Sequence, residues 1–216
     1  ETRMPVFSAR DLVTWSGGQW KAREPSAVQG VSTDTRTIKP GNLYVAIRGA
    51  KHDGHEFVAQ AFARGASAAV VDEAFAAKHA PDDPLLCVKD TLKALGKIAA
   101  GYRSSLNAEL VAVTGSVGKT TVKEMIAEVL QTRAPTARTR GNWNNDIGLP
   151  LSLLAMDPAE KFGVFEVGMN HPGELEPLCE ILRPSWGVVT NVGPVHLEFF
   201  RSVEDVAREK ATVFRC

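Results

Sequence analysis

The sequence predicts a two-part α/β protein, a small α/β domain over residues 1–88 followed by a mostly parallel sheet over residues 89–216. Three observations predict it. Residues 109–114 (ELVAVT) are almost wholly apolar, run straight into the glycine-bearing segment GSVGKTT, and are followed by apolar residues at helical spacing. Beyond them, short apolar runs alternate with segments of helical length, the pattern of parallel strands joined by crossover helices. Upstream, strand, helix and strand signals follow one another between turn clusters, which makes a smaller α/β unit. The charge changes with the pattern: residues 1–106 carry 14 basic and 11 acidic side chains, the remainder 11 and 14.

Composition bounds the function. With 44% hydrophobic and 23% charged residues, the 216-residue chain reads as globular, which excludes a disordered or collagen-like protein. Lysine plus arginine equals aspartate plus glutamate at 25 each, so no field of one sign points to nucleic acid or an anionic membrane. Apolar runs such as 110–113 are far shorter than the ~20 residues that cross a bilayer. The first 20 positions hold acids, Trp15 and Trp20 in place of an apolar leader core. A cytoplasmic protein without membrane insertion is expected. Cys87, Cys179 and Cys216 lack C-x-x-C spacing and read as reduced, structural thiols.

In chain order, Ser8 caps a predicted helix from Ala9 to Trp15 that stops at Gly17-Gly18. Residues 42–47 put Leu43, Val45 and Ile47 on one face of a strand after the Pro40-Gly41 turn. Residues 56–64 place Phe57, Ala61 and Phe62 on one helical face ending at Gly65. Strands follow at 68–71 and, past a turn at 81–84, at 85–88; Asp90 or Thr91 then caps a helix to about Arg103 that leads into the second domain. There, the helix after GSVGKTT carries Val122, Met125, Ile126, Val129 and Leu130 as one buried stripe. A helix begins near Ile147 with Pro150 in its first turn, strands are expected at 162–167 and 186–192, and residues 203–214 form a helix with Val206, Val213 and Phe214 on its apolar face.

The candidate ligand site is Gly115 to Thr121. Strand, glycine loop and helix in that order present successive backbone N–H groups and a helix N-terminus to an anion. Lys119 can reach terminal phosphates, and Thr120 can offer its hydroxyl to Mg²⁺. The longer form of this motif wants glycine at 113, where Val113 stands, so the match is to a shortened T-G-x-x-G-K-T. The alternative is a plain glycine turn with a surface lysine. Glu166, closing an apolar run, falls at the carboxyl edge of the sheet where ligands gather, unless it is a solvated strand-end glutamate. His196, after the Gly193-Pro194 turn, lies on a loop at the same edge; packing or capping is its alternative.

Five segments occur in order: TGSVGKTT (114–121), GNWNNDIGLP (141–150), EVGMNHPGE (166–174), TNVGPVHLE (190–198) and EDVAREKATVF (204–214). With STDTRTIKPGNLYVAI (32–47) and Asp53-Gly54-His55 before them, they resemble the ATP-dependent Mur ligases of peptidoglycan synthesis. The resemblance implies a UDP-substrate domain followed by a P-loop ATPase sheet. It assigns Thr33, Asp34, Thr35, Arg36, Arg48, Lys51, Asp53 and His55 to the uridine nucleotide; hydroxyls and cations suit anionic oxygens, while Asp53-Gly54 alternatively only shapes a turn. It assigns Gly115, Ser116, Val117, Gly118, Lys119, Thr120 and Thr121 to the phosphates of ATP. Asn144 and Asn145 approach the nucleotide, one amide at the adenine edge, or else cap the next helix. Mg²⁺ would be held by Thr120, Glu166 and His196, joined by Lys210 if that lysine is carbamylated; the alternative is a solvated helix lysine like Lys123. Lys119, Glu166, His196 and Lys210 make the catalytic set.

The resemblance implies three domains, of which this sequence is expected to reach neither the carboxy-terminal one nor the last part of the central one. The sheet is therefore expected to be incomplete, and the chain to be a monomer that binds ligands better than it turns them over. The wording of residues 142–150 and 168–174 is nearest the family member that adds D-alanyl-D-alanine to UDP-N-acetylmuramoyl-tripeptide through an acyl phosphate. Three alternatives stand beside it: the sister ligase adding the third amino acid, a plain P-loop NTPase, and a non-catalytic nucleotide-binding module.

Overall fold

A computed structural model describes residues 3–49, 52–79, 82–196 and 198–216. The chain divides into two units, one up to Tyr102 and one from Arg103 onward.

In the first unit, β1 (Val6–Phe7) leads into α1 (Ala9–Ser16), whose cap Ser8 accepts the Asp11 N–H at 3.0 Å. Gly17, at φ +71, closes the helix by donating to the Val13 carbonyl. Then come β2 (Gln19–Lys21), β3 (Val28–Gln29), β4 (Val31–Ser32) and β5 (Leu43–Val45). A 3₁₀ turn (Gly54–Phe57) runs into α2 (Val58–Ala63), followed by β6 (Ala68–Asp72), α3 (Glu73–Lys78), β7 (Leu85–Val88) and α4 (Thr91–Ser105). The sheet order is β2-β7-β6-β5-β4, parallel except for β2 at the edge, and β1 pairs with β3 in a separate two-stranded ladder. Tyr44, Ala46, Val58, Ala61, Ala69, Val71 and Leu85 pack as the core under α2 and α3. Pro81 of the expected turn lies outside the described residues.

The boundary between units falls inside α4, not ahead of it at 88/89. The helix buries Ala94, Leu95, Ile98, Ala99 and Tyr102, and the Tyr102 ring meets Phe7 edge-on at 5.1 Å, which ties most of its length to the first unit.

The second unit contains β8 (Glu109–Thr114), α5 (Lys119–Gln131), β9 (Thr136–Arg138), α6 (Gly148–Leu154), β10 (Phe162–Glu166), α7 (Leu175–Leu182), β11 (Trp186–Val189) and α8 (Val203–Lys210). The four strands run parallel in the order β11-β8-β10-β9. Register brings Glu166 beside Val113 and Val189 beside Thr114, so the carboxyl ends of three strands finish together at the start of the glycine loop.

Two helix faces differ from expectation. On α5, Val122, Ile126 and Leu130 pack on Val111, Val113 and Val164, but Met125 and Val129 are 64% and 69% exposed. At 100° per residue they sit at the rim of the stripe, and its inner seats go to Lys123 and Ala127. Residues 203–214 split into α8 and a 3₁₀ turn (Ala211–Phe214); Val206 and Val213 are buried, whereas the tighter turn leaves Phe214 exposed.

Candidate functional site

The site starts from the glycine loop. Gly115 and Gly118 have φ +151 and +83, and Gly118 precedes α5 in left-handed conformation. The loop is braced from the segment after β11. Asn191 Oδ1 accepts the N–H groups of Ser116 and Val117 at 3.1 and 2.9 Å, and the Thr190 hydroxyl donates to the Val117 carbonyl at 2.6 Å. Asn191 thus presents an oxygen to two loop amides, the acceptor such a loop is built to receive. Lys119 arches over the loop, its Nζ donating to the Gly115 carbonyl at 2.9 Å.

Beside the loop, Glu166 is 2% exposed at the end of β10 and anchored from both oxygens. The Thr120 hydroxyl donates to Oε2 and the Asn144 amide to Oε1, each at 2.7 Å. Two hard oxygen donors, Thr120 and Glu166, are therefore in direct contact next to Lys119. Among the described residues no three His, Cys, Asp or Glu side chains converge as a metal-holding group.

Lys210, the last residue of α8, is 2% exposed. Burial pushes its amine down to about 8, the charge of Lys119 adds to that, and Glu209 opposes it. Neither Lys210 nor Lys123 is a solvated helix lysine, because Lys123 is buried outright. His196 is partly exposed in left-handed backbone at φ +55, and its carbonyl accepts the N–H groups of Phe199 and Phe200 at 2.9 and 3.1 Å. The asparagine pair divides: Asn144 holds Glu166, while Asn145 Oδ1 accepts from Gly148 N at 2.8 Å and starts α6, so each amide is committed to the protein.

In the first unit most of the expected cluster is engaged with itself. Asp34 and Arg36 form a bidentate pair at 2.6 to 3.0 Å, and that hydrogen bond holds the Asp34 carboxyl below its ordinary range. The Thr35 hydroxyl donates to Gln60 at 2.7 Å, and Thr33 is partly exposed between β4 and the Asp34 turn. Arg48 bonds Asp72 at 2.6 and 2.9 Å and lies 3.2 Å from Asp53. His55 is buried, with Asp72 N–H donating to Nε2 at 3.0 Å. Nε2 is therefore the acceptor, and the ring proton sits on Nδ1, which donates to Asp53 at 2.6 Å. Lys51 lies outside the described residues.

Sequence reasoning missed Thr190, Asn191, Thr139 and Lys123, as well as Glu209, whose Oε1 accepts the N–H groups of Gly173 and Leu175 at the start of α7. Thr190 and Asn191 lie in a quoted motif, but nothing in their type reveals that they face the loop instead of a ligand.

A parallel sheet, a glycine loop at its carboxyl edge and a carboxylate against the loop threonine define a P-loop nucleotide-binding architecture. Residues 113–215 match the family described as "Mur ligase middle domain", and residues 27–103 match "Mur ligase family, catalytic domain". The chain belongs to the Mur ligase family. It is 43% identical over 187 residues to the UDP-N-acetylmuramoyl-tripeptide–D-alanyl-D-alanine ligase of Escherichia coli, covering 87% of this chain and 40% of that protein. Its fold resembles the crystal structure of MurF from Acinetobacter baumannii (TM-score 0.89, 34% identity, 99% of this chain and 47% of that one). It also resembles MurF ligase from Thermotoga maritima in complex with ADP (TM-score 0.76, 33% identity, 85% and 42%). The chain spans less than half the length of these relatives.

Proposed function

We propose that this chain supplies the uridine-nucleotide and ATP sites of a ligase that joins D-alanyl-D-alanine to UDP-N-acetylmuramoyl-tripeptide in peptidoglycan synthesis. The observation that carries this reading is the 2.7 Å contact of Thr120 with Glu166 directly behind the Gly115–Lys119 loop. The choice of substrates rests on similarity to relatives so named.

In the reaction, a carboxylate oxygen of the tripeptide attacks the γ-phosphorus of ATP and the bond from that phosphorus to ADP breaks. The dipeptide amine then attacks the acyl phosphate carbon, phosphate leaves, and the amine proton goes to solvent or base. Phosphoryl transfer needs positioning and charge neutralisation more than a protein nucleophile. Loop amides 116–118 would orient the phosphates, and Lys119 would swing from the Gly115 carbonyl to the terminal phosphate. Thr120 and Glu166 fit Mg²⁺, a hard cation that keeps several waters and takes one or two carboxylates alongside phosphate oxygens. When bound, Mg²⁺ neutralises charge on the transferring group. His196, on the loop after β11, would join them as a further Mg²⁺ ligand. Lys210 would complete the set as a carbamate, for which its buried, readily neutralised amine is suited. On the first unit, the exposed guanidinium groups of Arg36 and Arg48, with Thr33, would meet the uridine diphosphate, held in place by Asp34, Asp53 and His55.

The use of ATP argues for a cytoplasmic enzyme, and none of the described helices is long and apolar enough to cross a membrane. In the full-length protein, phosphate release from ATP should require both UDP-N-acetylmuramoyl-tripeptide and D-alanyl-D-alanine. Release from ATP alone would overturn the ligase in favour of a simple NTPase.

A further inference from the structure

Lys123 is 0% exposed on the inner face of α5, a helical turn past Lys119. Burying an ammonium is costly unless partners are supplied, and an apolar side chain of similar volume would fill the same space without that cost. Its partners are specific: Nζ donates to the Thr139 carbonyl at 2.7 Å and lies 2.6 Å from Glu124 Oε1.

The consequence appears at the end of β9. Thr139 extends the ladder to β10 by donating its N–H to the Val164 carbonyl at 3.1 Å. In a regular parallel ladder the next bond would run from the Glu166 N–H to the Thr139 carbonyl. Here Lys123 holds that carbonyl, and the Glu166 N–H is accepted by the Thr139 hydroxyl at 3.0 Å. The backbone that carries the Glu166 carboxylate is thus fixed by a side chain, which is fixed in turn by a buried lysine.

We propose that Lys123 is a positioning residue: by holding the Thr139 carbonyl it turns the Thr139 hydroxyl onto the Glu166 amide and sets where the carboxylate stands against Thr120. Lys123 touches no ligand. The inference rests on the reading that Thr120 and Glu166 receive Mg²⁺.

The test is the gain in ATP affinity that Mg²⁺ confers over EDTA, measured by titration calorimetry on the full-length protein. If the unmodified protein binds ATP no better with Mg²⁺, the Mg²⁺ reading fails and this inference with it. Given a gain, Lys123→Met is expected to cut it about tenfold or more, the usual effect of losing an outer-sphere support, while affinity in EDTA stays within about twofold. Thr139→Val should lose the same gain, and Thr139→Ser, which keeps the hydroxyl, should retain it. A Lys123→Met protein with an undiminished gain, or with both affinities lowered equally, overturns the proposal. Should Lys123→Met fail to fold, the Thr139 pair decides: equal gains in Thr139→Val and Thr139→Ser overturn it.

Discussion

A side chain on Gly115 would have to occupy the space already held by the hydroxyl of Thr190. The same hydroxyl donates to the Val117 carbonyl at 2.6 Å, so the loop is clamped from the segment after β11 as well as shaped by its own glycines. Gly115→Ala must therefore displace either Thr190 or the loop, at about 1–3 kcal/mol for overpacking, with further strain from a φ of +151. Lower thermal stability and at least about tenfold weaker ATP binding are expected, a factor of ten being 1.4 kcal/mol. Thr190→Ala in the same chain should restore part of the stability, a coupling that a double-mutant cycle reads directly. Gly115→Ala melting and binding like the parent would sink this account.

Asn144 offers a neutral amide donor to buried Glu166 at 2.7 Å, which satisfies Oε1 without setting a like charge beside it. Asn144→Asp would set two carboxylates against each other, so one must take up a proton, as in other carboxylate pairs. A raised folded-state pKa gives stability that is present at low pH and lost as pH rises through it. The variant should thus lose stability relative to the parent as pH rises from about 4, the ordinary carboxylate value, to about 8, within the range that a buried carboxyl can reach. Thermal melts at the two ends check it, and a profile parallel to the parent's would show that the amide is dispensable.

Much of the second unit was legible because its signals are long. Residues 109–114 and 162–166 are apolar on both faces, as strands buried between helix layers must be, and the glycine loop lies between a strand and a helix as its chemistry requires. The two-residue strands β1, β3 and β4 carry no period and left no trace. Charge and apolarity misled on α5, where Lys123 reads as surface and Met125 as core, because partners such as the Thr139 carbonyl come from distant sequence. The cation and histidine cluster of residues 33–55 suggested a ligand, yet much of it is committed to Asp34, Asp53 and Asp72.

His55 links two turns of the first unit, accepting from Asp72 N–H and donating to Asp53. Burial pushes the Asp53 carboxyl up, but the backbone and ring N–H groups of His55 and the charge of Arg48 outweigh it and hold it below its ordinary 3.8. Asp72 is likewise held low, burial being outweighed by the Phe75 N–H and Arg48. A lowered carboxyl contributes stability above its unfolded pKa and loses it as pH falls through the folded one. His55→Phe, which keeps the ring but removes both nitrogens, should cost about 1–3 kcal/mol at pH 7 by leaving buried groups unpaired. The cost should shrink below about pH 4, where protonation of Asp53 weakens its bond to the His55 ring in the parent. Urea denaturation at the two pH values tests this; a cost unchanged at pH 3 would mean that packing, not the network, is at stake.

Lys210 is the group whose chemistry pH should reveal most directly. With its amine lowered to about 8 by burial and by Lys119, about one molecule in ten is neutral at pH 7, against about one in three thousand for an ordinary lysine. Only the neutral nitrogen can attack the carbon of CO₂, losing a proton to form the carbamate. Protein equilibrated with ¹³C-bicarbonate should therefore gain a carbamate resonance, absent in Lys210→Met, that grows between pH 7 and 9. Lys119→Met removes the neighbouring like charge, raises the Lys210 pKa and should weaken that signal at pH 7. Stability runs the same way: a base whose pKa is lowered by folding penalises the native state while protonated, so the parent should gain stability as pH rises from about 8 to 10.5, and Lys210→Met should not. A parent whose melting temperature is flat across that window, with no carbamate signal, would leave Lys210 as an ordinary buried helix residue.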